Sequence, residues 1–89
     1  MNLSLNYYLQ ENFVKCIELS RKVVEIDPQN HIAYNNMCAS FNNLGRYEEA
    51  KAACEKALKL SPDFELAKNN LKLANNKLNE ILTKSGKGK

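Results

Sequence analysis

The side chains with reactive chemistry in this chain are three cysteines, one histidine and some carboxylates. Cys16, Cys38 and Cys54 lack the close spacing of a zinc site, and their odd number argues against a disulfide framework. They are therefore expected to be small buried hydrophobic residues. His31 has no cysteine or carboxylate near it in sequence and is expected to be exposed in the first turn of a helix. These patterns predict no catalytic site, metal or cofactor, so the chain is not expected to be an enzyme.

Asparagines recur at a fixed interval, and their chemistry is that of binding. Asn2, Asn36 and Asn70 are evenly spaced along the sequence. A carboxamide offers both a donor and an acceptor, so it can bind the C=O and the N–H of a peptide together. A row of such side chains would hold an extended peptide with little dependence on its sequence. The alternative is that these amides form hydrogen bonds within the fold.

The same interval recurs along the chain and indicates an internal repeat. It also separates Pro28 from Pro62. Similar residues at this offset are Ile26 and Leu60, Ala33 and Ala67, Met37 and Leu71, Tyr7 and Phe41, and Phe13 and Tyr47. So many like residues in one register predict a structural unit of about 34 residues that occurs more than once.

The repeating unit reads as a pair of helices. Apolar residues recur at three- or four-residue intervals, which predicts helices with one buried stripe. Gly45 permits a tight turn between two of them, and Pro28 and Pro62 suit the start of a helix. The predicted helices cover 2–10, 13–26, 31–43, 47–60 and 64–82. The polar sequence from Lys84 to Lys89 predicts a disordered tail.

Residues 31–64 resemble the tetratricopeptide repeat in period and residue pattern. The matching positions are Tyr34, Phe41, Gly45, Tyr47, Ala50, Ala57 and Pro62, while Met37, Cys38 and Cys54 are apolar or small departures. The resemblance implies an all-α fold, a right-handed superhelical array of antiparallel helical hairpins. About two hairpins and a C-terminal capping helix are expected. The domain would cover 1–82, as a truncated repeat (1–30), a full repeat (31–64) and a capping helix (65–82), followed by a flexible basic tail (83–89).

In this family the first helices of successive hairpins line a concave groove that binds peptides. The resemblance therefore implies a protein-interaction module or scaffold that binds a peptide or helical segment through an asparagine-rich face. The positions implied to face the groove are Asn2, Leu5, Tyr8, Leu9, Ile32, Asn35, Asn36, Ala39, Asn42, Asn43, Leu66, Asn69, Asn70, Leu73, Asn76 and Lys77.

Two other functions compete with peptide binding. The uncapped N-terminal hairpin would bury its apolar edge against another copy by stacking or swapping, giving a homo-oligomer. RNA binding occurs in related helical repeats, but without its basic tail this chain is near neutral, which disfavours nucleic acid.

The sequence also bears on the compartment. No apolar run approaches the roughly 20 residues of a membrane helix. Because the N-terminal residues lack the pattern of a secretory signal, a complete chain is expected in the cytoplasm. For a fragment of a longer protein no compartment is predicted.

Overall fold

The computed structural model describes the backbone of residues 3–87 and the side chains of residues 11–83. The chain forms four helices, which are α1 (Leu3–Ile26), α2 (His31–Leu44), α3 (Tyr47–Leu60) and α4 (Glu65–Lys87). Each helix packs against the next, and α2 also contacts α4. The predicted all-α array of antiparallel hairpins is therefore confirmed, and residues 3–87 contain no strand. Within the same residues, none of the helices combines the length and apolar character needed to cross a membrane.

Both ends of α2 are set by local sequence. Asn30 caps its start, where the side-chain oxygen of Asn30 accepts a hydrogen bond from the backbone N–H of Ala33 at 3.0 Å. At the other end, Gly45 adopts a left-handed conformation with φ of +80°. The N–H of Arg46 donates to the carbonyl of Phe41 at 2.9 Å, which completes a glycine-based helix stop. The chain therefore reverses at Gly45 and Arg46, and α3 returns along α2.

The N-terminal part of the fold differs from the prediction. Helices over 2–10 and 13–26 were expected, whereas α1 is one continuous helix. In the register of the repeat, Glu11 stands where the full repeat has Gly45. Glutamate favours helix and strongly avoids positive φ, so the chain continues as helix where the second copy turns. The predicted truncated hairpin within residues 1–30 is therefore wrong.

The C-terminal helix is longer than predicted. Its expected end was residue 82, with a flexible tail over 83–89, but α4 continues to Lys87, and residues 88 and 89 lie outside those that the structure describes. The segment of α4 before Gly86 contains no proline or glycine to stop a helix, so the backbone hydrogen bonding of α4 runs on.

Small residues allow the helices of the full repeat to approach closely. Ala50 and Ala57 on α3, and Ala67 and Ala74 on α4, are completely buried. Phe41 is the large side chain among them, with 3% of its surface exposed. The core therefore lies mainly between α2, α3 and α4, and Ile17 of α1 joins it. Phe41 is its buried aromatic ring, while Tyr34 and Tyr47 pack against it and are partly buried.

Cys38 on α2 and Cys54 on α3 form a disulfide, with Cα atoms 5.3 Å apart. The expectation of unbonded cysteines was wrong for this pair. Sequence spacing alone separates them by 16 residues, but the turn at Gly45 folds α3 back so that the two positions face each other. Cys16 is the free cysteine of α1.

Candidate peptide-binding face

The first helix of the full repeat, α2, and the first helix that follows it, α4, lie in contact. Most of the predicted binding positions on these two helices are open to solvent. We call them the α2–α4 face; its exposed members are Ile32, Asn36, Asn43, Leu66, Asn69, Leu73 and Asn76, and its half-buried members are Ala39 and Lys77. The face therefore presents amides and apolar side chains together, with Lys77 as its one cation.

Three other predicted binding residues instead join the two helices. The amide nitrogen of Asn42 donates to the backbone carbonyl of Asn70 at 3.0 Å. The amide nitrogen of Asn70 in turn donates to the side-chain oxygen of Asn35 at 2.9 Å. Asn35 and Asn42 are buried, and the Asn42 side-chain oxygen has no hydrogen-bond partner among the described residues. These amides fix the position of α4 against α2, so they support the face from beneath.

We expect the substitution Asn70→Ala to lower the free energy of unfolding by about 1–3 kcal/mol, because it leaves the buried oxygen of Asn35 without a donor. The neighbouring substitution Asn69→Ala removes the same group from an exposed site and should change stability by less than about 0.5 kcal/mol. Urea denaturation of both variants measures the difference. Equal effects of the two substitutions would show that the interhelix hydrogen bonds do not stabilise the fold.

The exposed amides differ in how far they are already engaged. The Asn43 amide nitrogen donates to the carbonyl of Ala39, one turn earlier in α2, at 2.8 Å. Asn36, Asn69 and Asn76 are exposed and make no side-chain hydrogen bond to any residue whose side chain the structure describes. These three amides therefore keep donors and acceptors for a ligand.

The remaining predicted positions are N-terminal. Asn2 lies outside the residues that the structure describes, and so do the side chains of Leu5, Tyr8 and Leu9. Their backbone from Leu3 onward belongs to α1 and not to a separate first helix.

A second concave feature lies between α1 and α2 and was not predicted. This α1–α2 groove has a volume of about 480 Å³. The residues that matter for its shape are Cys16, Leu19, Ser20, Val23, Ala33 and Asn36. The repeat could have located this groove. The positions one repeat after Cys16, Leu19, Ser20 and Val23 are Ala50, Ala53, Cys54 and Ala57, which lie on α3 and are buried.

His31 has a structural role at the start of α2. It was expected to be exposed, but it is half-buried, and its ring lies edge-on to Phe64 with 5.0 Å between ring centres. The repeat places the starts of α2 and α4 side by side, which brings these rings together. Among the described residues no group of three or more His, Cys, Asp or Glu side chains is arranged to hold a metal ion.

Comparison with known proteins matches residues 31–64 to the tetratricopeptide repeat. The peroxisomal targeting signal receptors of Kluyveromyces lactis and Candida albicans are 36% and 39% identical to this chain over 83% and 80% of its length. The Protein STIP1 homolog of Dictyostelium discoideum is 41% identical over 57% of the chain. The chain spans 13%, 12% and 8% of the lengths of these three relatives. No solved structure matches the chain.

Proposed function

We propose that this chain, which carries a tetratricopeptide repeat at residues 31–64, is a protein-interaction module whose α2–α4 face binds an extended peptide segment of a partner protein. The observation that carries the proposal is the pair of exposed amides of Asn69 and Asn76 on α4, a helix that the hydrogen bonds of Asn35, Asn42 and Asn70 hold against α2. The face binds and releases its ligand without a catalytic step.

The chemistry of the face favours a ligand in extended conformation. An extended peptide has backbone N–H and C=O groups free to bond, and each carboxamide can satisfy one of each. Ile32, Leu66 and Leu73 are exposed between the amides and would contact apolar side chains of the ligand. Because Lys77 is the one cation of the face, ion pairing contributes little to this recognition. Ordering a flexible peptide opposes binding, so we expect modest affinity.

The related proteins indicate which peptide to try first. Two of them are named as receptors for a peroxisomal targeting signal, and a C-terminal Ser-Lys-Leu sequence is such a signal. A fluorescent peptide that ends in Ser-Lys-Leu is therefore the first probe of the α2–α4 face. The same peptide with an amidated C-terminus is the companion probe. If backbone amides dominate recognition, removing the terminal charge changes the affinity only slightly.

The double substitution Asn69→Ala with Asn76→Ala should weaken binding of this peptide by about tenfold or more. The double substitution removes two hydrogen bonds for each carboxamide, and each bond is worth about 0.5–1.5 kcal/mol, whereas about 1.4 kcal/mol corresponds to tenfold in affinity. Fluorescence anisotropy measures the dissociation constant, and thermal melting should stay nearly unchanged because both side chains are exposed.

Asn79→Ala is the matched control, since Asn79 is an exposed asparagine of α4 outside the predicted binding positions. Its affinity should equal that of the unmodified chain. The proposal fails if the unmodified chain binds neither peptide, or if Asn79→Ala weakens binding as much as the double substitution does.

A further inference from the structure

The α1–α2 groove exposes apolar side chains that a folded protein normally covers. Leu19 and Val23 of α1 line it and are 64% and 39% exposed. Ala33 of α2 also lines it. The polar side chains of Asn12, Lys15, Asn30 and Asn36 also line the groove, but most of its surface is apolar.

The repeat shows what shape of ligand this groove accepts. The positions that follow Leu19 and Val23 by one repeat are Ala53 and Ala57, which are 7% and 0% exposed. Those positions are buried because α2 lies against both α3 and α4. One repeat earlier, α1 takes the place of α3 and α2 takes the place of α4. The α1–α2 groove is therefore the site for one further helix, which would occupy the position equivalent to α2 and contact both α1 and α2.

The sequence of that further helix is present in the chain itself. Within α2, Met37, Cys38 and Phe41 are buried residues of the core that α2 shares with α3. The residues one repeat before them are Leu3, Ser4 and Tyr7, which repeat the order of large apolar, small and aromatic side chains. Residues 3–10 therefore carry the pattern that the groove requires.

Residues 3–10 cannot fill the groove of their own chain while α1 is continuous. Folding back would need a turn at Glu11, the position equivalent to Gly45 with its φ of +80°. Glutamate avoids this conformation. In a straight helix with a rise of about 1.5 Å per residue, Ser4 lies roughly 24 Å from Ser20 along the axis. In the continuous α1 helix, residues 3–10 therefore extend away from the α1–α2 groove of their own chain.

We propose that two copies of this chain exchange residues 3–10, so that each copy inserts this segment into the α1–α2 groove of the other. The two α1 helices then run antiparallel, as the two helices of one hairpin do. The exchange uses the same surface on both copies and closes after two, which is the geometry of a swapped dimer. Each groove gains the helix that its register requires, and the exposed apolar side chains of Leu19 and Val23 become covered.

The first test changes the residue that prevents the turn. Light scattering coupled to size exclusion should give the unmodified chain twice its monomer mass of 10.1 kDa at high concentration. The substitution Glu11→Gly supplies the missing turn residue, so residues 3–10 should fold back and the mass should fall to that of the monomer. Glu18→Gly is the control, because it places glycine at an exposed site of α1 outside the turn register. This control should remain as dimeric as the unmodified chain.

The second test reports the register of the exchanged segment. Ser4 and Ser20 are the equivalents, one repeat earlier, of Cys38 and Cys54, whose Cα atoms are 5.3 Å apart across their disulfide. With Cys16 replaced by alanine, the pair Ser4→Cys and Ser20→Cys should form a covalent dimer on a non-reducing gel. The variant Ser4→Cys alone should not form a covalent dimer, because Ser20 then provides no thiol for it to bond.

Three results would overturn the exchange. The first is an unmodified chain that stays monomeric at all concentrations. The second is a Glu11→Gly variant as dimeric as Glu18→Gly. The third is a Ser4→Cys, Ser20→Cys variant that runs as an internally bonded monomer or does not cross-link, because either outcome places residues 3–10 elsewhere.

Discussion

Replacing Phe41 by alanine should lower the free energy of unfolding by about 3–5 kcal/mol. The side chain is almost completely buried among small residues, including Cys38 and Ala50, which cannot expand to fill the space that its ring leaves. A small domain is stable by only about 5–15 kcal/mol in total. The variant should therefore be largely unfolded at moderate urea, which circular dichroism at the helical wavelength would detect.

Phe64 provides the matched control for this substitution. It is also a phenylalanine of the full repeat, but it is only half-buried and packs against His31 at the surface. Phe64→Ala should lower stability by clearly less than Phe41→Ala does. If the two substitutions have equal effects, the core does not lie between α2, α3 and α4.

Reducing the disulfide between Cys38 and Cys54 should lower the free energy of unfolding by about 3 kcal/mol, because the bond closes a loop in the unfolded chain. The separation of 16 residues sets the size of that loop. Both sulfur-bearing residues are completely buried, so a reductant reaches them mainly after unfolding. Urea denaturation at equilibrium, with and without dithiothreitol, measures the difference.

The variant Cys16→Ala controls for the remaining thiol and should respond to dithiothreitol as the unmodified chain does. Intact mass under non-reducing conditions should be lower than that of the reduced chain by two hydrogen atoms. An unchanged mass, or a urea midpoint that does not respond to dithiothreitol, would contradict the bond. Disulfides are rare in the cytosol, so in a reducing compartment the same pair would be two buried thiols.

The full repeat could be predicted because its boundaries depend on local residues. Gly45 sets the turn between α2 and α3, and Pro62 lies in the connection before α4. In the N-terminal copy, the spacing of apolar residues is that of a hairpin, so two helices were predicted where the structure has the single helix α1. The N-terminal copy has Glu11 where the full repeat has Gly45, and glutamate favours a continuous helix over a turn.

The binding residues were harder to separate from the structural ones. Asn35 and Asn36 are neighbours on α2, and successive residues of a helix point about 100° apart. One of them is buried against α4 and the other is exposed. Sequence spacing placed both on the same side, whereas only the packing of α4 shows which amide is engaged. The disulfide was missed for a similar reason, since Cys38 and Cys54 meet only after the hairpin forms.

The central claim, that α2 and α4 present one binding face, is tested most directly by nuclear magnetic resonance of the isotope-labelled chain with the Ser-Lys-Leu peptide. The side-chain amide signals of Asn69 and Asn76 should shift as the peptide is added, with smaller changes at Asn79. Shifts confined to α3, or to Leu19 and Val23 in the α1–α2 groove, would place the ligand elsewhere and contradict the claim.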